Sequence, residues 1–303
     1  MKKPPNLPAV VSGGRMLTGV NNYKSRDYIA AIRAEIRAIL QADHPQTVRQ
    51  VFYQLVVHGM IEKTEAEYKG TAVRLLTRMR LADEIPWEWI TDESRRTRVT
   101  TTFDSVEDAL RDTAQIYRRS ALRESGVHIE IWCEKEGLAG IIHDAASEYD
   151  VPVEPTKGMW SLTQVWGTAC NIINAARAGK QTYIYQFGDH DPTGCIIPKA
   201  LEKRLRHFCT KYDCAFPIIE RVALTPEQIR EYGLPTRPTK RDGNSHAHGF
   251  RGRSVELDAL PSRVLRQMVT ECIERHISPT EVDILRITEE SERDVIKAFA
   301  KRI

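Results

Sequence analysis

Apolar residues in the first third of the chain recur at the three- and four-residue spacing of amphipathic helices. Isoleucines follow this pattern after Ser25, a typical helix N-cap, as far as about Asp43. Gln46 to Gly59 and roughly Glu65 to Ala82 predict two further helices. Residues 1–24 contain several prolines and glycines without a sustained period, so we expect a flexible N-terminal arm there.

The pattern changes after the third predicted helix. Glu84 to Ile90 alternates in part between polar and apolar residues, which predicts a short strand. Arg95 and Arg96 follow it, and three helices with a basic hairpin of this kind suggest a winged-helix module. Ser105 to about Glu124 predicts a linker helix. We therefore expect a DNA-binding domain over residues 25–125.

Strands and helices alternate in the second half of the chain. His128 to Cys133, Val151 to Glu154 and Thr182 to Phe187 predict strands, and a helical run follows each of them. Pro217 to Leu224 predicts a further strand, and two closing helices come after it. This alternation predicts an α/β domain with a parallel sheet over residues 126–303, in a chain that is α+β overall.

Composition restricts the function classes only loosely. The chain has 303 residues, enough for two domains, and its 41% hydrophobic and 28% charged residues are typical of soluble proteins. The net charge is +3, so a nucleic-acid surface would have to come from local clustering. Six cysteines form no C-x-x-C pair, and no apolar run predicts a signal peptide or a membrane span. We expect a reduced, cytoplasmic protein without structural zinc.

Acidic residues follow two of the predicted strands directly. Gly188 ends an aromatic-rich run and is followed by Asp189 and Asp191, and Glu134 follows the first strand of its domain. The carboxyl ends of parallel strands are where open α/β sheets bind ligands, and carboxylates are hard ligands for divalent cations. The pattern predicts a Mg²⁺ site, which Mn²⁺ could also occupy, with Glu136 as the alternative to Glu134. The same acids also fit a helix cap and solvated surface positions.

Arg49 and Tyr53 are i, i+4 neighbours on the second predicted helix, with Tyr53 on the flank of its apolar stripe. A tyrosine at a core margin is most often structural, because the phenol can keep one end in water. The alternative is a nucleophile, since a neighbouring guanidinium favours the phenolate or binds the phosphate under attack. Spacing alone leaves both interpretations open.

Basic residues dominate the third predicted helix. From Tyr68 to Leu81 the chain has no acidic residue. A helix set against DNA phosphates needs such a face, but a solvated basic face has the same pattern. The candidate DNA-binding residues here and in the hairpin are Lys69, Arg74, Arg78, Arg80, Arg95 and Arg96.

Three motifs in a fixed order carry a resemblance to a known family. They read VRQVFYQLV at residues 48–56, EKEG at 134–137 and GDHDPTG at 188–194. Together they resemble the A subunit of topoisomerase VI and its relative, the meiotic double-strand-break transesterase. The resemblance covers roughly residues 45–262 and includes the TPEQIREYGLP and VELDALP stretches. It implies a winged-helix domain followed by a Toprim domain with a Rossmann-like parallel sheet.

By this resemblance Tyr53 is the nucleophile, Arg49 assists on the phosphate side, and Glu134, Asp189 and Asp191 are the Mg²⁺ ligands. The implied reaction is transesterification of double-stranded DNA, which leaves a 5′-phosphotyrosyl link and a free 3′ hydroxyl. The family also implies a nucleoid-associated homodimer, with the tyrosine of one subunit working against the acids of the other, and a separate GHKL-type ATPase subunit. We expect no ATPase region within this chain, so cleavage rather than strand passage is the expected activity.

Three alternatives stay open. A Toprim nuclease would cleave DNA with metal-activated water, and Tyr53 would then be structural. D-x-D-x-T at residues 189–193 also resembles the signature of haloacid-dehalogenase-like phosphatases, in which Asp189 would be the nucleophile, although that motif normally opens its domain. The third alternative is a non-catalytic winged-helix DNA-binding protein.

Overall fold

The structure is a computed structural model, and it describes residues 25–91, 101–123, 125–156, 160–239, 250 and 252–302. The expected N-terminal arm, Arg95 and Arg96 lie outside these residues. None of the helices in the described ranges has the length and apolar character needed to cross a membrane.

A four-stranded, all-parallel sheet organises the second half of the chain. Its strands are β1 (Val127–Cys133), β2 (Val153–Pro155), β3 (Gln181–Phe187) and β4 (Ile218–Ala223), in the order β2-β1-β3-β4. The prediction of a parallel sheet is confirmed. Strands β1 and β3 are neighbours and end level, with Cys133 beside Phe187. The residues after these two strands therefore leave the sheet side by side.

Helices cover both faces of the sheet because its buried side chains alternate along the strands. Ile129 and Ile131 lie in the larger apolar cluster with helices α6 (Glu136–Ser147) and α10 (Ser262–Glu274). Trp132 points to the other face, into a second cluster with α7 (Leu162–Arg177) and α8 (Pro192–Lys211). A short helix, α9 (Pro226–Glu231), follows β4.

The N-terminal region is helical, as the sequence predicts. Helix α1 (Arg26–Ala42) begins after the predicted cap Ser25, whose side chain accepts a hydrogen bond from the Tyr28 backbone. Helix α2 (Val48–Val57) is capped by Thr47. The third predicted helix is divided into α3 (Glu65–Glu67), a π-helical segment (Tyr68–Val73) and α4 (Arg74–Leu81).

These helices share their core with the sheet. Ile32, Leu55 and Leu75, one from each of α1, α2 and α4, belong to the same apolar cluster as the first face of the sheet. Polar contacts join the same parts, since the Asp43 carboxylate pairs with Arg266 and accepts from the Arg263 backbone at 2.9 Å. The N-terminal helices are therefore packed directly against the end of the chain that follows the sheet.

The predicted strand from Glu84 to Ile90 is wrong. Trp87–Trp89 forms a 3₁₀ turn, and a single bridge pairs Ile90 with Gln46. The buried apolar residues of this segment are Ile85 and Ile90, and their separation does not match the two-residue period of a strand. Residues 84–90 therefore form a turn at the edge of the core, with Ile85 and Ile90 packed into it.

The predicted linker helix is shorter than expected. Helix α5 covers Val106–Ile116 and packs against the last helix, α11 (Pro279–Ala300). Beyond it the chain is held by α11, because the Arg293 guanidinium donates to the Tyr117 carbonyl at 2.7 Å and Glu289 accepts from the Arg119 backbone at 2.9 Å. These bonds replace the hydrogen bonds that a longer helix would have made.

Candidate active site at the carboxyl edge of the sheet

Glu134 is the first residue after β1 and is fixed by the neighbouring strand end. Its backbone N–H donates to the Phe187 carbonyl at 2.9 Å, and its Oε2 accepts from the Asp189 backbone at 2.9 Å. Gly188 and Gly194 border the same oxygen, since a Cβ at either position would lie 2.8 Å from it. Burial, and the negative charges of Asp189 and Asp191, raise the pKa of Glu134 to about 7.

Asp189 is buried at the same edge, with both carboxylate oxygens engaged. Oδ1 accepts from the Leu257 backbone at 2.8 Å, and Oδ2 lies 3.1 Å from Lys135 Nζ. Burial raises the pKa of Asp189 to about 6, against the opposing charge of Lys135. A role for Asp189 as a phosphatase nucleophile would require it to give up this ion pair.

Asp191 is the N-cap of α8. Its Oδ1 accepts from the Gly194 backbone at 2.8 Å, and its Oδ2 lies 3.8 Å from an Arg237 guanidinium nitrogen. The helix-cap interpretation is therefore correct for Asp191, whereas Asp189 is not a solvated acid. The contact of Oδ2 with Arg237 is longer than a hydrogen bond.

A second acidic pair, Glu256 and Asp258, was not assigned a role from the sequence. An antiparallel bridge between His190 and Val255 brings this segment beside the D-x-D loop. Both carboxylates are buried, Glu256 directly after the bridge and Asp258 within a 3₁₀ turn, Leu257–Ala259. The sequence did contain a signal for this pair, since Glu256 and Asp258 alternate with apolar residues that are buried. Acids in such a position need a partner, because an unpaired buried carboxylate is costly.

Lys135 connects the two acidic pairs. Its Nζ lies 3.1 Å from Asp189 Oδ2, 3.5 Å from Glu256 Oε2 and 3.3 Å from Asp258 Oδ2. From the sequence, Lys135 was noted only as part of the EKEG motif and was given no role. In the structure it is the central cation of the site.

Arg49 reaches this site from helix α2. Its Nη1 lies 2.8 Å from Glu256 Oε2, and its guanidinium stacks 4.8 Å above the Tyr68 ring. An ion-pair chain therefore runs from Arg49 through Glu256 and Lys135 to Asp189. Arg49, Tyr68, Lys135, Glu256 and Asp258 are among the residues that line a cleft of about 570 Å³ here.

Tyr53 lies beside these groups and is buried, deeper in the core than the position on the flank of the apolar stripe predicts. Only 2% of the residue is exposed, and the Lys63 ammonium covers the ring at 4.9 Å from its centroid. Burial and the nearby charge of Glu256 raise the pKa of the Tyr53 phenol, and the opposing effect of Arg49 is smaller. The raised pKa keeps the Tyr53 phenol protonated at neutral pH, and the Arg49 guanidinium is bound to Glu256.

The three predicted ligands can be tested against the chemistry of a divalent cation. Among the described residues, no three His, Cys, Asp or Glu side chains are arranged to hold a metal ion as they stand. The donor chemistry nevertheless fits a hard cation, because all three side chains are carboxylates, and Gly188 and Gly194 allow the Glu134 carboxylate to lie directly against the D-x-D loop. Binding would require Asp189 Oδ2 to turn from Lys135 toward the ion. Glu136, the alternative ligand, lies in the first turn of α6.

The predicted basic face divides into two groups. Arg74 and Arg78 are exposed one turn apart on α4, and neither pairs with a carboxylate in the described part of the chain. Lys69 is exposed and pairs with Glu65 at 3.4 Å. Arg80 instead stacks on the Trp87 ring at 4.3 Å and holds the turn.

The structure thus brings Arg49, Tyr53 and the three acids to one edge of the sheet and adds Lys135, Glu256 and Asp258 to them. Comparison of the chain with family models, with curated proteins and with solved structures found no match. The function is therefore inferred from this geometry and from the motifs.

Proposed function

We propose that this protein is a Mg²⁺-dependent, DNA-cleaving transesterase, built as a winged-helix region followed by a Toprim-type sheet. The observation that carries the proposal is the ion-pair chain from Arg49 to Asp189, which joins the tyrosine-bearing helix to the acids at the strand ends. Tyr53 lies one helical turn from Arg49, so the same chain places the phenol near the acids. The resemblance to the topoisomerase VI A family supports the same assignment.

In the proposed reaction the Tyr53 hydroxyl attacks a DNA phosphodiester. The bond from Tyr53 oxygen to phosphorus forms as the phenol gives up its proton, the bond from phosphorus to the 3′ oxygen breaks, and that oxygen takes up a proton, so that no net proton is gained or lost. Glu134, Asp189 and Asp191 would hold Mg²⁺ or Mn²⁺, which supplies charge stabilisation at the reacting phosphate. Arg49 contacts the phosphate after it releases Glu256.

The resemblance also supports a homodimer in which Tyr53 of one subunit works against the acids of the other. A phenol that is 2% exposed cannot reach a phosphate at the acids of either subunit as it stands, so the attack would require a local rearrangement around Tyr53. A separate ATPase subunit would be needed only for strand passage.

A Toprim nuclease is the second candidate, and the same burial favours it. With the phenol protonated and Arg49 engaged by Glu256, a water molecule would be the attacking group and Tyr53 a core residue. The two candidates share their acids and their DNA, and they differ in whether protein becomes linked to DNA.

Covalent capture distinguishes the two candidates. We expect wild-type protein incubated with labelled supercoiled DNA and Mg²⁺ or Mn²⁺, then quenched with detergent, to be linked to 5′ DNA ends. Tyr53→Phe keeps the ring packing and removes only the hydroxyl, so it should abolish the adduct. Tyr212→Phe, at an exposed tyrosine beyond the end of α8, is the matched control and should retain it.

Cleavage that survives Tyr53→Phe without an adduct, but is lost in Asp189→Ala, would establish the nuclease instead. Retention of the adduct in Tyr53→Phe would place the nucleophile elsewhere. Neither outcome depends on knowing the preferred DNA sequence.

Arg74 and Arg78 are expected to contact DNA phosphates. Each phosphate contact contributes about 0.9 to the slope of log K against log salt, so Arg74→Ala with Arg78→Ala should reduce the slope by about 2. Fluorescence anisotropy with duplex DNA over a salt series measures this. Arg111→Ala, which removes an exposed arginine paired with Glu107 on α5, should leave the slope unchanged. An unchanged slope in the double variant would mean that α4 is only a solvated face.

A further inference from the structure

Lys135 is held by three carboxylates at the centre of the proposed site. Its Nζ lies within 3.5 Å of an oxygen of Asp189, Glu256 and Asp258. These carboxylates are 7–9% exposed, whereas the lysine side chain is 27% exposed. The ammonium is therefore fixed on the protein side and open on the side that faces the cleft.

Asp258 gives a second, independent indication. Its Oδ2 is shielded from solvent and has no hydrogen-bond partner among the described residues, although the Lys135 ammonium lies 3.3 Å away. The contact supplies charge without a directed hydrogen bond, as expected where a carboxylate faces a site for cations rather than a structural donor. Packing alone gives no reason to bury an acid in this way, because desolvation opposes it.

Counter-charges are distributed unevenly over the five carboxylates of the site. Glu256 pairs with Arg49 at 2.8 Å, with Arg237 at 3.1 Å and with Lys135 at 3.5 Å, and the Asp258 carboxylate lies 3.3 Å from Lys135. Glu134 has no ion pair in the described part of the chain, and the Asp191 carboxylate lies 3.8 Å from Arg237. A divalent ion is therefore expected beside Glu134 and the D-x-D loop, whereas Glu256 and Asp258 already have their cations.

We propose that Lys135 takes the place of a second metal ion, so that the site binds a single divalent cation. The cation is held by Glu134, Asp189 and Asp191, while Lys135 remains between Glu256 and Asp258 as a permanent positive charge beside the DNA phosphate. Lys135 is thus a positioning residue, which fixes the second acidic pair and limits the metal stoichiometry. This inference rests on the proposed function, because it assumes the same three acids as ligands.

Removal of the ammonium has a definite consequence under this proposal. Lys135→Met keeps the length of the side chain but leaves Asp189, Glu256 and Asp258 without their shared cation. These oxygens then offer a second set of hard ligands, so the site should take up a second ion. Lys135→Arg keeps the charge and should retain a single ion.

The number of sites can be counted by titrating the full-length protein with Mn²⁺ in the absence of DNA. Electron paramagnetic resonance measures the free ion, and the difference from the total gives the Mn²⁺ bound per chain. We expect one Mn²⁺ per chain for the wild type, one for Lys135→Arg and two for Lys135→Met. Lys297→Met, at an exposed lysine near the end of α11, is the matched control and should bind one. Circular dichroism of each variant checks its folding.

Two ions in the wild type would overturn the inference and leave the proposed DNA cleavage intact. A single ion in folded Lys135→Met would likewise overturn it. No Mn²⁺ binding by the wild type would overturn the ligand assignment in the proposed function as well. The wild-type count tests the inference even where Lys135→Met does not fold.

Discussion

Gly194→Ala is expected to abolish metal-dependent DNA cleavage and to lower the free energy of unfolding by about 1–3 kcal/mol. A Cβ at this position would lie 2.3 Å from the Asp189 carbonyl oxygen and 2.8 Å from Glu134 Oε2. The carbonyl belongs to the backbone of the D-x-D loop, so the clash cannot be relieved by turning a flexible side chain. The loop must shift, and both carboxylates move with it.

The matched control for this prediction is Gly167→Ala on α7. A Cβ there meets no atom within 4 Å, and the residue lies inside a helix, where alanine is preferred over glycine by about 0.5–1 kcal/mol. This variant should be slightly more stable and should cleave DNA as the wild type does. Urea unfolding and the supercoiled-DNA assay measure the two effects. Wild-type cleavage by Gly194→Ala would mean that the arrangement of Glu134 and Asp189 is not the active one.

The pattern of the sequence was sufficient to locate the carboxylates at the sheet edge. Strand β1 ends one residue before Glu134, and β3 ends before Gly188, as the loss of apolar alternation indicates. Parallel pairing of these strands then requires the acids that follow them to be neighbours. These are local properties, and each can be identified within a window of about ten residues.

The second acidic pair could not be placed in the same way. The Leu257 backbone donates to Asp189 across a separation of 68 residues, and the bridge between Val255 and His190 is isolated rather than part of a strand. An isolated long-range bridge produces no periodic pattern of apolar residues in the sequence. The meeting of Glu256 with Lys135 and Arg49 is thus a property of the tertiary structure.

The depth at which Tyr53 is buried also depends on the tertiary structure and could not be predicted from the sequence. An amphipathic pattern shows which face of α2 is apolar, but it does not show what covers the flank. Here the Lys63 ammonium lies over the Tyr53 ring, and the Phe52 ring packs edge-on against it. Lys63 comes from the connection after α2, so the helical period of α2 carries no signal of this cover.

Trp132→Ala is expected to have the largest effect on stability, a loss of about 3–5 kcal/mol in the free energy of unfolding. The Trp132 side chain is completely buried, with its ring 5.1 Å from the Trp160 ring. Its Nε1 also donates to Glu130 Oε2 at 3.2 Å, and Glu130 is itself 0% exposed. The substitution therefore opens a cavity and removes a donor from a buried carboxylate, and both effects destabilise the fold.

Trp132→Phe separates these two effects, because it restores most of the ring packing without the N–H group. We expect it to be more stable than Trp132→Ala and less stable than the wild type, when midpoints and slopes of urea unfolding are compared.

Ile287→Ala, at a residue of α11 that is 70% exposed, should change the free energy of unfolding by less than about 0.5 kcal/mol. Equal losses for Trp132→Ala and Ile287→Ala would contradict the packing of β1 against α7 and α8. Glu134 directly follows β1, so the position of this strand sets the position of that carboxylate. If a folded Trp132→Phe protein still cleaves DNA, the site requires the position of the strand and not the indole itself.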